Sequence, residues 1–268
     1  MVKILDTTLR EGEQTPNVKF TLEQKVEIAK LLDKFGVDYI EAGMPIISQE
    51  DKEKVKAVVD LGLKAEIVGL ARAKIEDIDA VVETGAQWVG IFCGINELSL
   101  EHKLDGKNKQ EVYSIIEKSI RYAKSKGLKI RFTVEDATRT LIEDLIEVAI
   151  LAEKSGADRF SIADTVGCAS PETISEIISR LKKEVRTEIE VHCHNDLGLA
   201  LANSLVAYRA KVDVIDATIN GLGERVGLTS LQELSLALKL IYGENTKRLE
   251  LLPELSHLTE VYSRIKLD

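Results

Sequence analysis

The chain has 268 residues, 44% hydrophobic and 30% charged, with a formal net charge of −9. That length supports one large core, and α/β barrels commonly reach this size as a single domain. An acidic balance without a basic stripe argues against nucleic-acid binding. The absence of an 18-residue apolar run or a signal-like start argues against a membrane span or export. Cys93, Cys168 and Cys193 are scattered without CxxC spacing, so the expected setting is a reducing cytoplasm.

Taken in chain order, β-rich runs are predicted at Val2–Asp6, Tyr39–Ala42, Ala65–Leu70, Trp88–Gly94, Lys129–Glu135, Arg159–Ala163, Glu188–His194 and Val214–Thr218. Helical patterns fall between them. Thr21-x-x-Gln24 reads as a capping box ahead of the apolar stripe Val26, Ala29, Leu32 and Phe35. Thr140-x-x-Glu143 and Thr229-x-x-Gln232 read the same way, and Ser170-Pro171 places proline at a first helical position. Most helices hand over to the next strand through a glycine: Gly36, Gly62, Gly85, Gly127 and Gly156. A glycine just past a helix accommodates the left-handed turn that ends it. One junction, Ala210-Lys211-Val212, lacks it, so either Lys211 takes a strained turn or the turn differs there. Eight βα units in this length predict a parallel, closed (β/α)8 TIM barrel, with an open doubly wound sheet as the alternative. The barrel is expected over residues 1–245, and 246–268 reads as the start of a C-terminal helical extension.

In such barrels chemistry sits at the C-terminal ends of the strands. His192 and His194 carry half of the chain's four histidines and share one face of the seventh strand by the period-two rule. Two imidazoles there suit a divalent metal, with a carboxylate as third ligand. The same rim carries Asp6 to Gln14, Glu41, Arg131, Thr133, Glu135, Asp164-Thr165 and Asn220 to Arg225. Arginines beside a metal suit a carboxylate-bearing substrate whose ketone the metal polarises. Cys193 points to the opposite face and reads as core. His102 and His257 read as surface or packing residues, and Asp6 could serve only as a strand-end cap.

Asp6-Thr-Thr-Leu-Arg-Glu-Gly-Glu-Gln14, His192-Cys-His-Asn-Asp196 and Asn220-Gly-Leu-Gly-Glu-Arg225 resemble the DRE-TIM metallolyases, in the branch of 2-isopropylmalate, citramalate and homocitrate synthases. The resemblance spans nearly the whole chain. It implies an acyltransferase that condenses acetyl-CoA with a 2-oxo acid at a divalent metal (Zn, Mn, Mg, Fe or Co) in amino-acid biosynthesis. The implied metal ligands are Glu11, where many members have Asp, with His192 and His194. Arg10 would polarise the keto oxygen, and Glu135 would belong to the acid/base network. Gln14 and Glu41 match pocket positions, Thr165 matches a hydroxyl on the substrate's 1-carboxylate, and Asn220 matches an Asn near the metal. Arg131 and Thr133 resemble the pair that binds the distal carboxylate of 2-oxoglutarate in homocitrate synthases. Leu70 and Asn220 look more like 2-isopropylmalate synthases, but the Arg131 match makes homocitrate synthase acting on 2-oxoglutarate the expected function, with 2-isopropylmalate or citramalate synthase as the alternative.

The glycine loop Gly221 to Leu228 has no cysteine, unlike the hydroxymethylglutaryl-CoA lyases. Family members continue past the barrel into a region that reaches a neighbouring subunit and brings a His as base on acetyl-CoA. The implied assembly is therefore a homodimer, or a partner subunit that supplies this region. A smaller enzyme that uses a residue such as His257, or a binding subunit inactive alone, are the alternatives.

Overall fold

A computed structural model describes residues 2–244 and 247–267. Its strands are β1 (Lys3–Asp6), β2 (Tyr39–Gly43), β3 (Glu66–Arg72), β4 (Trp88–Gly94), β5 (Lys129–Glu135), β6 (Arg159–Asp164), β7 (Glu188–Cys193) and β8 (Val214–Ala217). Each is hydrogen-bonded in parallel to its sequence neighbours, and β8 closes on β1 through Lys3↔Val214 to Asp6↔Ala217. The expected (β/α)8 barrel is therefore the observed fold. Helices α1 (Leu22–Phe35), α2 (Gln49–Val59), α3 (Ile75–Thr84), α4 (Glu97–His102), α5 (Lys109–Ser125), α6 (Ile142–Ser155), α7 (Pro171–Glu184), α8 (Ala200–Arg209), α9 (Leu231–Tyr242) and α10 (Leu252–Ser263) complete it. None is long and apolar enough to cross a membrane.

The main core lies between barrel and helices, where Ile28, Leu32 and Phe35 of α1 pack with Ile4 and Ile40 at 0–1% exposure. Each such side chain contributes about 1.5–3 kcal/mol on leaving water. Inside the barrel a second, small apolar cluster, Leu5, Tyr39, Val68, Trp88 and Val214, plugs the lower end. Above it the interior turns polar, and that polarity builds the site.

Local chemistry explains most of the element ends. Thr21 and Gln24 form the reciprocal capping box, Ser170 caps α7 with Pro171 in its first turn, and Gly36 ends α1 at φ 102°. Lys211 does take the left-handed turn, at φ 67°. Two expected caps do not form. Thr140 donates its hydroxyl to the Asp136 carbonyl, so α6 starts from Leu141 without a side-chain cap. Thr229 is buried against Ser204, and Ser230 caps α9 instead. Within the stretch read as the start of a C-terminal helical extension lies α10, which packs on α1 and places Leu252 and Leu255 in the main core. The boundary expected at 245/246 falls on residues outside those described.

Candidate metal centre

β7 ends at Cys193, one residue earlier than expected, and His194 continues as an antiparallel bridge to Leu228. Both imidazoles still face the barrel axis, with ring centroids 4.9 Å apart and Nε2 atoms 3.2 Å apart. Cys193 points the other way, into the main core. His192 Nδ1 lies 2.9 Å from Asp216 Oδ2 on β8. That carboxylate accepts a hydrogen bond from Nδ1–H and leaves the Nε2 lone pair facing the cavity, the arrangement that orients a metal-binding imidazole. Burial pushes the His194 pKa down to about 4 and lowers that of His192, so both rings are neutral near pH 7. Glu11, in the turn after β1, completes a cluster whose candidate ligand atoms lie within 4.8 Å of one another. Burial opposes its charge, but Arg10 and the two histidines hold its carboxyl below the usual range. Two neutral imidazoles and one ionised carboxylate, converging and buried, fit a divalent cation.

A chain of alternating charges rises through the barrel to this cluster. Arg159 lies over the rings of both Tyr39 and Trp88, at 4.1 and 4.5 Å from their centroids, and pairs with Glu188 at 3.1 Å and Glu190 at 2.9 Å. Glu190 approaches Arg131 Nη1 at 3.3 Å without hydrogen-bond geometry. Arg131 Nη2 donates to Glu41, and Glu41 accepts from Arg10 Nε at 2.5 Å and from the Thr7 hydroxyl at 2.6 Å. Arg10 in turn donates to Glu11, and also to Gln14 at 3.0 Å. Burial opposes ionisation of Glu41, yet the two arginines hold its pKa far below the usual range. A buried charge is tolerated only with such partners.

These groups border a cavity of about 330 Å³ lined by Arg10, Glu11, Gln14, Arg131, Thr133, Glu135, Thr165, His192 and His194. Nine of the expected site residues thus face one space, and Glu41 lies beneath them. Asn220 does not join them. Its left-handed backbone (φ 60°) turns the amide towards Gln232 Nε2 and the Ser256 carbonyl on α10, so it ties the loop after β8 to the C-terminal helix. Thr165 accepts from the Asp136 amide at 2.8 Å, and Glu135 pairs with Lys103 at 2.6 Å. His102 and His257 are exposed, on α4 and α10. Asp6 caps the turn after β1 through the Thr8 amide at 2.9 Å, and burial pushes its pKa up to about 7.

Sequence reasoning missed Asp216, Ser161 and Glu190, and gave Glu224 no role beyond its place in the rim motif. Asp216 and Ser161 line the same cavity, and the Glu224 amide donates to Glu11 at 3.1 Å. Asp216, Ser161 and Glu190 occupy inward positions of their strands, so period-two counting from His192 and Arg131 was the available signal.

The HMGL-like family profile matches residues 1–258. The chain belongs to the HMGL-like family. A homocitrate synthase (AksA) of Methanocaldococcus jannaschii is 44% identical over 99% of this chain and 66% of its own length. A 2-isopropylmalate synthase of the same organism is 46% identical, over 99% of this chain and 51% of its length. A putative (R)-citramalate synthase of Archaeoglobus fulgidus is 43% identical, over 98% and 54%. The chain thus spans about half to two thirds of the length of these relatives. Among solved structures, a Bacillus subtilis HMG-CoA lyase superposes with a TM-score of 0.89 at 20% identity, covering 99% of this chain and 95% of that one. That likeness shows the fold alone.

Proposed function

We propose that this HMGL-like chain carries the metal and oxo-acid site of a synthase that condenses acetyl-CoA with 2-oxoglutarate, a homocitrate synthase-type reaction. One observation carries the choice of substrate. Arg131 Nε and Nη1, Thr133 Oγ1 and Ser161 Oγ are buried on β5 and β6 without a hydrogen-bond partner. Unpaired buried donors are costly, and a distal carboxylate would satisfy them together. Relatives named homocitrate synthase at 42–45% identity support the reaction class.

A bound divalent metal would supply Lewis-acid polarisation of the ketone, held by Glu11, His192 and His194. Arg10, fixed between Glu11 and Glu41, is placed to donate towards the keto oxygen as negative charge develops there. Thr165, which spends its oxygen lone pair on Asp136, keeps its proton for the substrate's 1-carboxylate. Glu135 stands on the cavity wall as the proton-transfer carboxylate. In the reaction a base takes a proton from the acetyl methyl group, whose carbon bonds to the keto carbon while the keto oxygen gains a proton. Water then cleaves the thioester and releases CoA. The base on the methyl group would come from the region that the relatives have beyond this match. A cytoplasmic setting follows from the same reading.

A second substrate has its own support. Leu70, Phe92, Met44 and Ile47 line the same cavity, and an apolar wall suits the branched 2-oxo acid of a 2-isopropylmalate synthase. Calorimetry on the metal-loaded protein separates the two, with 2-oxoglutarate, 2-oxoisovalerate and pyruvate as ligands and thiol release from acetyl-CoA as the turnover readout. The expected result is preferential binding of 2-oxoglutarate, abolished by Arg131→Ala with metal retained. Tighter binding of 2-oxoisovalerate, or indifference to Arg131→Ala, would overturn the assignment.

A further inference from the structure

Arg159, at the start of β6, is the largest fully buried side chain among the described residues, and it does not line the metal cavity. Buried ion pairs can often be replaced by apolar residues without loss of stability. A charge at this depth therefore calls for a role beyond filling the lower barrel. Its guanidinium is fixed from several sides. It lies over the Tyr39 and Trp88 rings, and it donates to Glu188 Oε2 from Nε at 3.2 Å and from Nη2 at 3.1 Å. Nη1 donates to Glu190 Oε2 at 2.9 Å. Arg131 is its register neighbour on β5, and Glu190 reaches towards both arginines.

The two oxygens of Glu190 are used differently. Oε2 accepts from Arg159, whereas Oε1 lies 3.3 Å from Arg131 Nη1 without hydrogen-bond geometry. That oxygen and Arg131 Nε and Nη1 are all left without a hydrogen-bond partner. A turn about the last side-chain bond of Glu190 would join them, and that torsion is soft in glutamate. Burial and the like charge of Asp216 on β8 oppose ionisation of Glu190, while Arg131 and Arg159 both favour it. The two arginines thus compete for one carboxylate, and Arg159 holds the bonded oxygen.

We infer that Arg159 is a positioning residue for the oxo-acid site. It holds Glu190 off Arg131, so that Arg131 Nε and Nη1 stay open to the distal carboxylate of the substrate. Without Arg159, Arg131 is the cation left to Glu190. An internal carboxylate on Arg131 then competes with the substrate's own, because each guanidinium donor serves one strong acceptor at a time. A 2-oxo acid without a distal carboxylate does not use those donors and is indifferent to the exchange. Arg159 thus sets selectivity from outside the cavity. The inference rests on the 2-oxoglutarate reading above, and it adds what keeps the carboxylate-binding arginine unoccupied.

Calorimetric titration of the metal-loaded chain with 2-oxoglutarate and with 2-oxoisovalerate tests it. The wild type is compared with Arg159→Met, Glu190→Gln and the Arg159→Met/Glu190→Gln double variant. Folding is checked by circular dichroism and metal content by elemental analysis. Arg159→Met is expected to bind 2-oxoglutarate about tenfold more weakly, the loss of roughly one charge-assisted hydrogen bond. Glu190→Gln and the double variant lack the competing carboxylate and are expected to bind it at least as tightly as the wild type. 2-Oxoisovalerate is expected to bind all four proteins alike. Wild-type affinity in Arg159→Met, equal weakening of both ligands, or a double variant as weak as Arg159→Met overturns the proposal. If Arg159→Met does not fold, the other two variants decide, and weaker 2-oxoglutarate binding by either overturns it. A wild type that does not prefer 2-oxoglutarate to 2-oxoisovalerate sinks the substrate reading and this inference with it. A wild-type preference that Arg159→Met leaves unaltered sinks this inference alone.

Discussion

The guanidinium of Arg131 lies across the backbone of Gly90 on the neighbouring strand, so closely that a Cβ there would stand 2.5 Å from Nη2. Nη2 is also the atom that donates to Glu41. A glycine in the middle of a strand gives up packing and backbone entropy, and close approach by another group is a recognised reason for one. Here the group that approaches is the proposed substrate-binding arginine.

Gly90→Ala therefore forces the guanidinium off Glu41 without touching a proposed metal ligand. The expected outcome is a Kd for 2-oxoglutarate raised about tenfold or more, corresponding to loss of roughly one charge-assisted hydrogen bond. Metal content should stay at the wild-type level. Calorimetry with parallel metal analysis reads both, and an unchanged Kd would show that the position of Arg131 does not control oxo-acid binding.

Asp216 supports His192 from the adjacent strand at 2.9 Å. Asp216→Asn keeps the size of the side chain but removes the charge that holds the Nδ1 proton. Loss of such an outer partner typically costs 10–100-fold in metal affinity, so a drop of about that size is expected. Competition with a chromophoric chelator measures it. Affinity equal to wild type would mean that the imidazole is held by its packing alone.

Asp6 is fully buried, and desolvation followed by the charge of Asp216 accounts for its pKa rise from 3.8 to about 7, which the Thr8 amide only partly offsets. A carboxyl whose folded pKa lies above its unfolded one contributes stability below the unfolded value and loses it as pH rises through the folded value. The wild type should therefore lose stability between about pH 4 and pH 7 through this group. Asp6→Asn removes the ionisation, so its Tm is expected to exceed the wild type's at pH 8, with the gap closing as pH falls towards 4. A gap independent of pH would remove Asp6 from the account.

The barrel and much of its rim were legible because they rest on local rules. Gly36 and Gly156 mark αβ junctions by a conformation that needs no knowledge of the rest of the chain, and period two places His192 and Arg131 inward. The caps at Thr140 and Thr229 were misread because a capping pattern competes with tertiary partners: Thr140 bonds back to Asp136, and Thr229 meets Ser204. Asn220 was misplaced for a similar reason, since its left-handed backbone aims the amide at α10, an element whose docking against the loop after β8 no local pattern gives. The charge ladder was least legible. Glu41 and Arg131 are 90 positions apart, and only closure of the barrel brings them together.

Lys211 gives a test of the local rules in the opposite direction. It turns through φ 67° at the α8–β8 junction, where other junctions use glycine. A left-handed conformation costs a residue with a Cβ about 1–2 kcal/mol. Glycine avoids that strain but loses about 0.5–1 kcal/mol more backbone entropy on folding. The first effect is the larger, so Lys211→Gly should stabilise the protein by roughly 0.5–1 kcal/mol. Lys211 is exposed and enters no side-chain hydrogen bond or ion pair among the described residues, so no lost contact offsets the gain. Urea unfolding of wild type and variant reads the change as a shift in midpoint at constant slope. A destabilised variant would show that the lysine side chain contributes more than its backbone strain costs.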